Sequence, residues 1–170
     1  FVRAAGKVAS LTHQHPLWYI PAAFLSALIQ QLIPFPYINP NELRVCIRKC
    51  ISAISEIYPE HLSYIDYIRG ITNKAVLLSS CNISDAEAIS MLGEGWVAEE
   101  TLAIALYCVL KYPDNFEKAI VASVNHSGDS DSTGMVTGNI MGAVLGYEAI
   151  PNHYIDNLEL KWLIEELSKD

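Results

Sequence analysis

Apolar residues recur at intervals of three and four along nearly the whole of this 170-residue chain. Such spacing puts them on one face of an α-helix, because the helix has about 3.6 residues per turn. The pattern predicts helices over residues 17–33, 43–57, 62–78, 97–110, 116–124 and 135–145, and an amphipathic helical tail over 158–167 that docks on the rest. The alternation typical of strands is absent or brief, so we predict an all-α fold.

Short breaks rich in proline, glycine and asparagine separate these segments. The breaks fall at residues 34–36, 39–41, 58–59, 79–84, 93–95, 113–115 and 150–152. Ser84 followed by Glu87 is a helix-start signature. Since the chain has no internal repeat, low-complexity tract or linker, we predict one domain over residues 1–170.

Charge and composition narrow the function classes. The formal net charge is −8, with 11 Lys+Arg against 19 Asp+Glu and no basic run, which argues against binding to nucleic acid. No apolar run is long enough for a membrane span, and no signal peptide is recognisable. The four cysteines (Cys46, Cys50, Cys81 and Cys108) form no zinc pattern, and we interpret them as reduced thiols in or near the core. Reduced thiols predict a reducing, cytoplasmic location.

The segment richest in possible chemistry reads Gly-Asp-Ser-Asp-Ser-Thr-Gly over residues 128–134. Helix capping and the helix dipole explain one aspartate at a helix start. They explain less well two carboxylates, Asp129 and Asp131, that repel each other unless a cation or strong donors lie between them. Carboxylate and hydroxyl oxygens suit Mg²⁺, Mn²⁺ or Ca²⁺, although no EF-hand loop follows. From these residues alone, the two aspartates could form either a helix cap or a metal site.

Glycines then recur every four residues, at positions 134, 138, 142 and 146. Each glycine inside a helix costs about 0.8–1 kcal/mol relative to alanine. A compensating gain would come from close packing against another helix or from close approach of a ligand. We predict that the glycines bury this helix in the centre of the domain.

Three motifs, taken in order, resemble those of one family. Residues 125–134, the glycines that follow and Ile150-Pro151 resemble the C-terminal signature of the ADP-ribosylglycohydrolase family, which includes the dinitrogenase-reductase-activating glycohydrolase and ADP-ribosylarginine hydrolases. Residues 12–16 resemble the family's Thr-His-x-x-Pro element. Residues 93–100 resemble its Gly-x-Gly-Trp-x-Ala-x-Glu helix start. The order and spacing of all three motifs fit, so the resemblance covers most of the chain.

This resemblance implies an all-α, orthogonally packed domain around a two-metal centre that uses Mg²⁺ or Mn²⁺. Asp129 and Asp131 would be catalytic metal ligands. Ser132 stands where the family usually has threonine, and its hydroxyl would also be a metal ligand. His13 would line the ADP-ribose site, with Gly95 and Trp96 in a loop beside that site.

The chain departs from the family in its acidic motifs. The family's Gly-Asp-x-x-Gly segment, its Thr-Asp-Asp triplet and its glycine-rich loop are not found, and the sequence contains no Asp-Asp pair. The resemblance therefore implies the C-terminal portion of the family domain, with only half of the metal ligands. The N-terminal half could be a separate chain, and this chain alone is expected to be inactive.

Two functions follow from the resemblance. One is a metal-dependent hydrolase of ADP-ribosyl linkages, whose partner is an ADP-ribosylated protein or a small ADP-ribosyl compound. The other is a catalytically inactive relative with a structural or ligand-binding role.

Three side chains keep alternative roles when the residues alone are considered. His13 could instead be a partly buried histidine with its hydrogen bonds satisfied, and Trp96 could pack in the core instead of stacking on a ligand. His126 lies either beside the aspartates or simply in a loop.

Overall fold

The computed structural model describes residues 1–34 and 39–168, and these residues form ten α-helices with no strand. The helices are α1 (Val2–Ser10), α2 (Pro16–Leu32), α3 (Pro40–Ile57), α4 (Leu62–Leu78), α5 (Asp85–Leu92), α6 (Ala98–Lys111), α7 (Phe116–Val124), α8 (Ser130–Leu145), α9 (Asn152–Ile155) and α10 (Lys161–Leu167). Two 3₁₀ turns lie at Pro59–His61 and Tyr147–Ala149. The all-α prediction is confirmed. Apart from Pro34, the break predicted at residues 34–36 lies outside the described residues.

Polar side chains begin several helices where the sequence predicts a start. The Ser84 hydroxyl accepts a hydrogen bond from the backbone N–H of Glu87 at 3.2 Å, which confirms the predicted cap of α5. Asn39 and Glu42 form a reciprocal capping box at the start of α3. These bonds satisfy backbone donors that the first turn of a helix leaves without partners.

Helix α6 is the central helix of the described chain. Every residue from Thr101 to Leu110 is buried, and α6 packs against α2, α4, α5, α7 and α8. The prediction that the glycine-bearing helix lies at the centre is wrong, because α8 packs on one side of α6. The opposite side of α8 reaches solvent, where Met135 is 63% exposed.

The four glycines of α8 do not share one packing role. A Cβ at Gly134 would lie 2.7 Å from Cγ1 of Val124, so α7 approaches closely there. A Cβ at Gly138 would make ordinary contact, and one at Gly142 would meet nothing within 4 Å. Gly146 ends the helix with a φ of 79°, a conformation that favours glycine. Close packing therefore explains only the first glycine of the stripe.

Three of the four cysteines lie in the core, as predicted. Cys46, Cys50 and Cys108 are buried and unpaired, and burial raises the pKa of the Cys50 thiol to about 12. The prediction is wrong for Cys81, which is exposed. This residue lies in the turn after α4, where the helical period no longer determines which side chains face the core.

The C-terminal tail packs less closely than its amphipathic pattern predicts. Trp162, Ile164 and Leu167 of α10 are 67%, 51% and 71% exposed, so the predicted docking through the apolar face is wrong. The Tyr147 hydroxyl donates to Glu165 at 2.9 Å and tethers the helix. None of the described helices combines the length and the apolar character needed to cross a membrane.

Candidate functional site

A cleft of about 540 Å³ lies where α2, α6 and α8 approach one another. It brings together five of the six residues predicted for the site: His13, Gly95, Trp96, Asp129 and Ser132. The sixth, Asp131, is exposed and does not line this cleft. Residues that lie far apart in the sequence therefore share one concave surface.

One wall of the cleft carries His13, in the short segment between α1 and α2. Its ring stacks on Trp18, with centroids 4.3 Å apart and planes inclined by 18°. The Thr12 hydroxyl lies 2.8 Å from His13 Nδ1. Because His13 is exposed, the alternative of a partly buried histidine is wrong.

The opposite wall is the loop that precedes α6. Gly93 and Gly95 have φ values of 130° and 80°, which side chains other than glycine rarely adopt. Glu100 holds this loop, since its Oε2 accepts from the N–H groups of Glu94 and Gly95 at 3.0 and 3.1 Å. A Cβ at Gly95 would lie 2.8 Å from Cγ2 of Thr133. The loop conformation therefore depends on the close packing of Gly95 against the buried Thr133 and on the Glu100 carboxylate.

Trp96 projects from this loop into the open side of the cleft. Its side chain is 62% exposed, and Nε1 donates to the Glu94 carboxylate at 3.1 Å. Core packing, the alternative that the sequence left open for Trp96, is therefore wrong. An indole held at a cleft rim can present its flat face to a ligand.

The head of α8 supplies the acidic part of the site. Asp129 is the N-cap, and its Oδ1 lies 3.5 Å from the backbone N–H of Ser132. The pKa of the Asp129 carboxyl lies below its usual value, chiefly because of a hydrogen bond with the Asp131 carboxyl and then because of Ser132. The head of α8 thus carries the Asp129 and Asp131 carboxyl oxygens and the Ser132 hydroxyl within four residues, and capping accounts only for Asp129.

His126 lies behind these oxygens, and it does not line the cleft. Its Nδ1 accepts from the Gly128 N–H at 3.1 Å, and its Nε2 lies 2.9 Å from Oγ1 of the buried Thr133. That hydroxyl donates to the Ser123 carbonyl at 2.7 Å, so it accepts the proton of Nε2. His126 therefore supports the turn that leads into Asp129.

The oxygens at the head of α8 match part of a cation site. Carboxylate and hydroxyl oxygens are the donors that Mg²⁺ and Mn²⁺ prefer, but these ions take about six ligands. Within the described ranges, no group of three or more His, Cys, Asp or Glu side chains is placed to hold a metal ion. The donor chemistry fits a hard cation, and the number of donors falls short.

Several contributors to the site were not predicted as site residues. Trp18, Thr12 and Glu100 each contact a predicted residue or its loop. Glu100 ends the Gly-x-Gly-Trp-x-Ala-x-Glu motif, which was the available signal for it. Nothing in the spacing of Trp18 distinguishes a stacking partner from an ordinary residue in the first turn of α2.

Comparison with known proteins gives a match along the whole chain. The sequence profile of the ADP-ribosylglycohydrolase family matches residues 1–170. The chain belongs to this family. Among ADP-ribosylglycohydrolase relatives, the ADP-ribosylhydrolase ARH3 of Danio rerio is 28% identical over 163 residues, which cover 84% of this chain and 43% of the relative.

Two further relatives match over shorter stretches. The ADP-ribosylhydrolase ARH1 of Dictyostelium discoideum is 36% identical over 84 residues, covering 49% of this chain and 21% of the relative. The ADP-ribosylarginine hydrolase Tri1 of Serratia proteamaculans is 27% identical over 107 residues, covering 63% and 29%. The chain spans less than half the length of these curated relatives. No solved structure gives a significant match.

Proposed function

We propose that this chain carries part of the active site of a metal-dependent hydrolase of ADP-ribosyl linkages. The observation that carries the proposal is the single cleft in which His13, Trp96 and Asp129 meet. Membership of the ADP-ribosylglycohydrolase family supports the same activity. The substrate would be an ADP-ribosylated protein or a small ADP-ribosyl compound, and the product would be free ADP-ribose.

The walls of the cleft suit a ligand with flat rings and hydroxyl groups. His13 and Trp96 offer ring faces from the two walls, and rings of this kind stack on aromatic ligand groups. Gly95 lines the same cleft, and its lack of a side chain lets the loop pack closely against Thr133 beside Asp129. The Asp129 carboxylate can accept hydrogen bonds from ribose hydroxyls.

Mg²⁺ or Mn²⁺ would be held by Asp129, Asp131 and Ser132. A bound cation would polarise a water molecule and offset negative charge in the transition state. The Asp129 carboxyl is suited to this role, because it lines the cleft and a carboxylate oxygen is a ligand that these ions prefer. In a chain of net charge −8, a cation would also reduce the repulsion of a diphosphate.

The rest of the metal centre would come from residues outside this chain. Two features support this part of the proposal: the sequence has no Asp-Asp pair, and the ARH3 relative is matched over 43% of its length. The missing ligands could lie on the same polypeptide or on a separate one. The 170 residues alone should then bind one cation weakly and should not hydrolyse the linkage.

Calorimetric titration with Mn²⁺ tests whether this chain carries only half of the metal centre, called here the half-site. We expect weak binding at one site in the isolated chain, and loss of that binding in the Asp129→Asn and Asp131→Asn variants. Asp156→Asn is the matched control, because Asp156 is exposed beside Lys161 and does not line the cleft. Tight binding at two sites by these 170 residues would contradict the half-site.

Hydrolysis of ADP-ribosyl-arginine by the full-length protein tests the activity. The Asp129→Ala, Asp131→Ala double variant should lose hydrolysis, and Asp156→Ala should retain it. The alternative function, a catalytically inactive relative with a ligand-binding or structural role, is favoured by the incomplete donor set in the described residues. Binding of ADP-ribose without turnover, in the full-length protein with Mn²⁺ present, would establish that alternative.

We also propose a reducing, cytoplasmic location. Four unpaired cysteines support it, in particular the exposed Cys81, which an oxidising compartment would leave open to disulfide exchange. Fractionation of cells that express the full-length protein would test this location.

A further inference from the structure

The His13 ring occupies the cleft although its own segment is not helical. His13 is exposed, and it lies between the end of α1 and the start of α2. An exposed imidazole in such a segment would normally sample several rotamers. Something other than burial must therefore hold this ring in one orientation.

Trp18 supplies that hold from a rigid element. It lies in the first turn of α2, whose N-cap is His15, and its backbone N–H donates to the His15 carbonyl at 2.9 Å. The indole covers one face of the His13 ring at a centroid distance of 4.3 Å. We propose that Trp18 is a positioning residue that fixes the plane of His13 for ligand binding, an inference that rests on the proposed function.

Thr12 fixes the orientation of the His13 ring within the plane that Trp18 sets. Its hydroxyl lies 2.8 Å from Nδ1 of His13, whereas the Ala9 carbonyl is 3.4 Å away. Nδ1 is therefore occupied, and Nε2 is the ring nitrogen left for a ligand. With one face against Trp18, a ligand can reach only the other face and the Nε2 edge.

A double-mutant cycle separates positioning from direct contact, since Trp18 also lines the cleft. With ADP-ribose as the probe, Trp18→Leu should weaken binding about threefold to tenfold, the usual worth of an aromatic stack. In a His13→Ala background the same substitution should change the affinity by less than about twofold, because the partner is gone. An equal loss in both backgrounds would show that Trp18 contacts the ligand itself and would overturn the proposal.

Conservative and control variants make the test specific. Trp18→Phe and Trp18→Tyr keep a flat ring and should restore most of the affinity. Trp162→Leu is the matched control, since Trp162 is 67% exposed on α10 and does not line the cleft. If Trp18→Phe binds ADP-ribose as poorly as Trp18→Leu does, stacking on His13 is not the role of the indole.

Nuclear magnetic resonance of the His13 ring gives a readout independent of ligand. In the unliganded wild-type chain the indole ring current should shift the His13 ring protons upfield, and Trp18→Leu should remove this shift. If the wild-type protein binds no ADP-ribose, the proposed function fails and this spectrum still decides the positioning role. His13 signals that do not change in Trp18→Leu would overturn it.

Discussion

The backbone N–H of Asp129 donates a 2.8 Å hydrogen bond to the backbone carbonyl of Glu94. This bond joins the head of α8, which carries the acidic residues, to the loop that carries Trp96. Gly128 lies at the junction, where a Cβ would stand 1.7 Å from the Glu94 carbonyl oxygen. The Trp96 loop and the head of α8 therefore meet at a contact between backbone atoms.

Replacing Gly128 by alanine should break this junction. Because backbone atoms cannot move aside as a side chain does, we expect Gly128→Ala to lower the free energy of unfolding by about 2–3 kcal/mol. ADP-ribose binding should fall with it. Urea denaturation and calorimetry measure the two effects.

Gly142→Ala is the matched control within the next helix. A Cβ there meets nothing within 4 Å, so the variant should gain up to about 1 kcal/mol from helix propensity. Equal losses of stability in the two variants would show that the contact at Gly128 is not what determines the outcome.

Glu100 should be necessary for the shape of the Trp96 loop. Its carboxylate accepts from two backbone N–H groups, so Glu100→Ala leaves both without that partner and should cost about 2 kcal/mol of unfolding free energy. Glu100→Gln keeps an acceptor and should cost less. Urea denaturation measures both losses, and in a Trp18→Phe, Trp162→Phe background the fluorescence of Trp96 reports the loop.

Glu56→Ala is the control for Glu100, because Glu56 is exposed on α3. It should leave stability and fluorescence unchanged. A Glu100→Ala protein with wild-type stability would show that the loop keeps its conformation without these two hydrogen bonds.

Tyr107 and Asp85 form a hydrogen bond outside the cleft. The fully buried Tyr107 hydroxyl donates to Asp85 at 2.6 Å, and Tyr112 donates to the other carboxylate oxygen at 2.8 Å. Tyr107→Phe should lower the free energy of unfolding by about 2 kcal/mol, since hydrogen bonds to a charged group are the stronger ones. Tyr112→Phe should cost less because Tyr112 is only half-buried. Urea titration at neutral pH compares the two losses, and the reverse order would contradict this assignment.

Glu99 should make the protein less stable as pH rises, because its pKa is raised in the folded state. The side chain is 5% exposed, its Oε2 has no hydrogen-bond partner among the described residues, and burial raises its pKa. The folded protein therefore favours the neutral carboxyl. The stability associated with that form is present below the unfolded pKa of about 4.3 and is lost as pH rises through the folded value.

Glu99→Gln should reveal this dependence. We expect it to stabilise the protein by about 1 kcal/mol at pH 8, where it removes a buried charge, and to have little effect near pH 4. Urea denaturation at several pH values gives the curve. A difference between the two proteins that stays constant across this range would contradict the titration of Glu99.

The helical period predicted which elements form but not how deeply each is buried. Residues 102–110 of α6 are apolar on all sides, which is the signal of a central helix, whereas the glycine stripe led to the prediction that α8 is central. A glycine shows where a helix lacks a side chain but not whether another element packs there. How deeply a helix is buried depends on its neighbours, and the periodicity of that helix alone does not identify them.

The residues of the site were predictable as motifs, and their contacts were not. His13, Trp96 and Asp129 were identified by family resemblance and share a cleft. The stack of Trp18 on His13 depends on the path of the chain into α2, and the depth of Gly128 against Glu94 depends on how α6 meets α8. These are properties of packing between elements, which the sequence specifies only through the whole fold.

The bond between Asp129 and Glu94 makes the cleft a cooperative part of the molecule. The Trp96 loop and the head of α8 each lose a backbone contact when the other detaches, so the two segments stabilise each other. The shape of the cleft exists only while α8 stays packed on the central helix α6. A partly unfolded chain would therefore lose the Trp96 loop and the acidic head of α8 together, instead of retaining one of them that could still bind weakly.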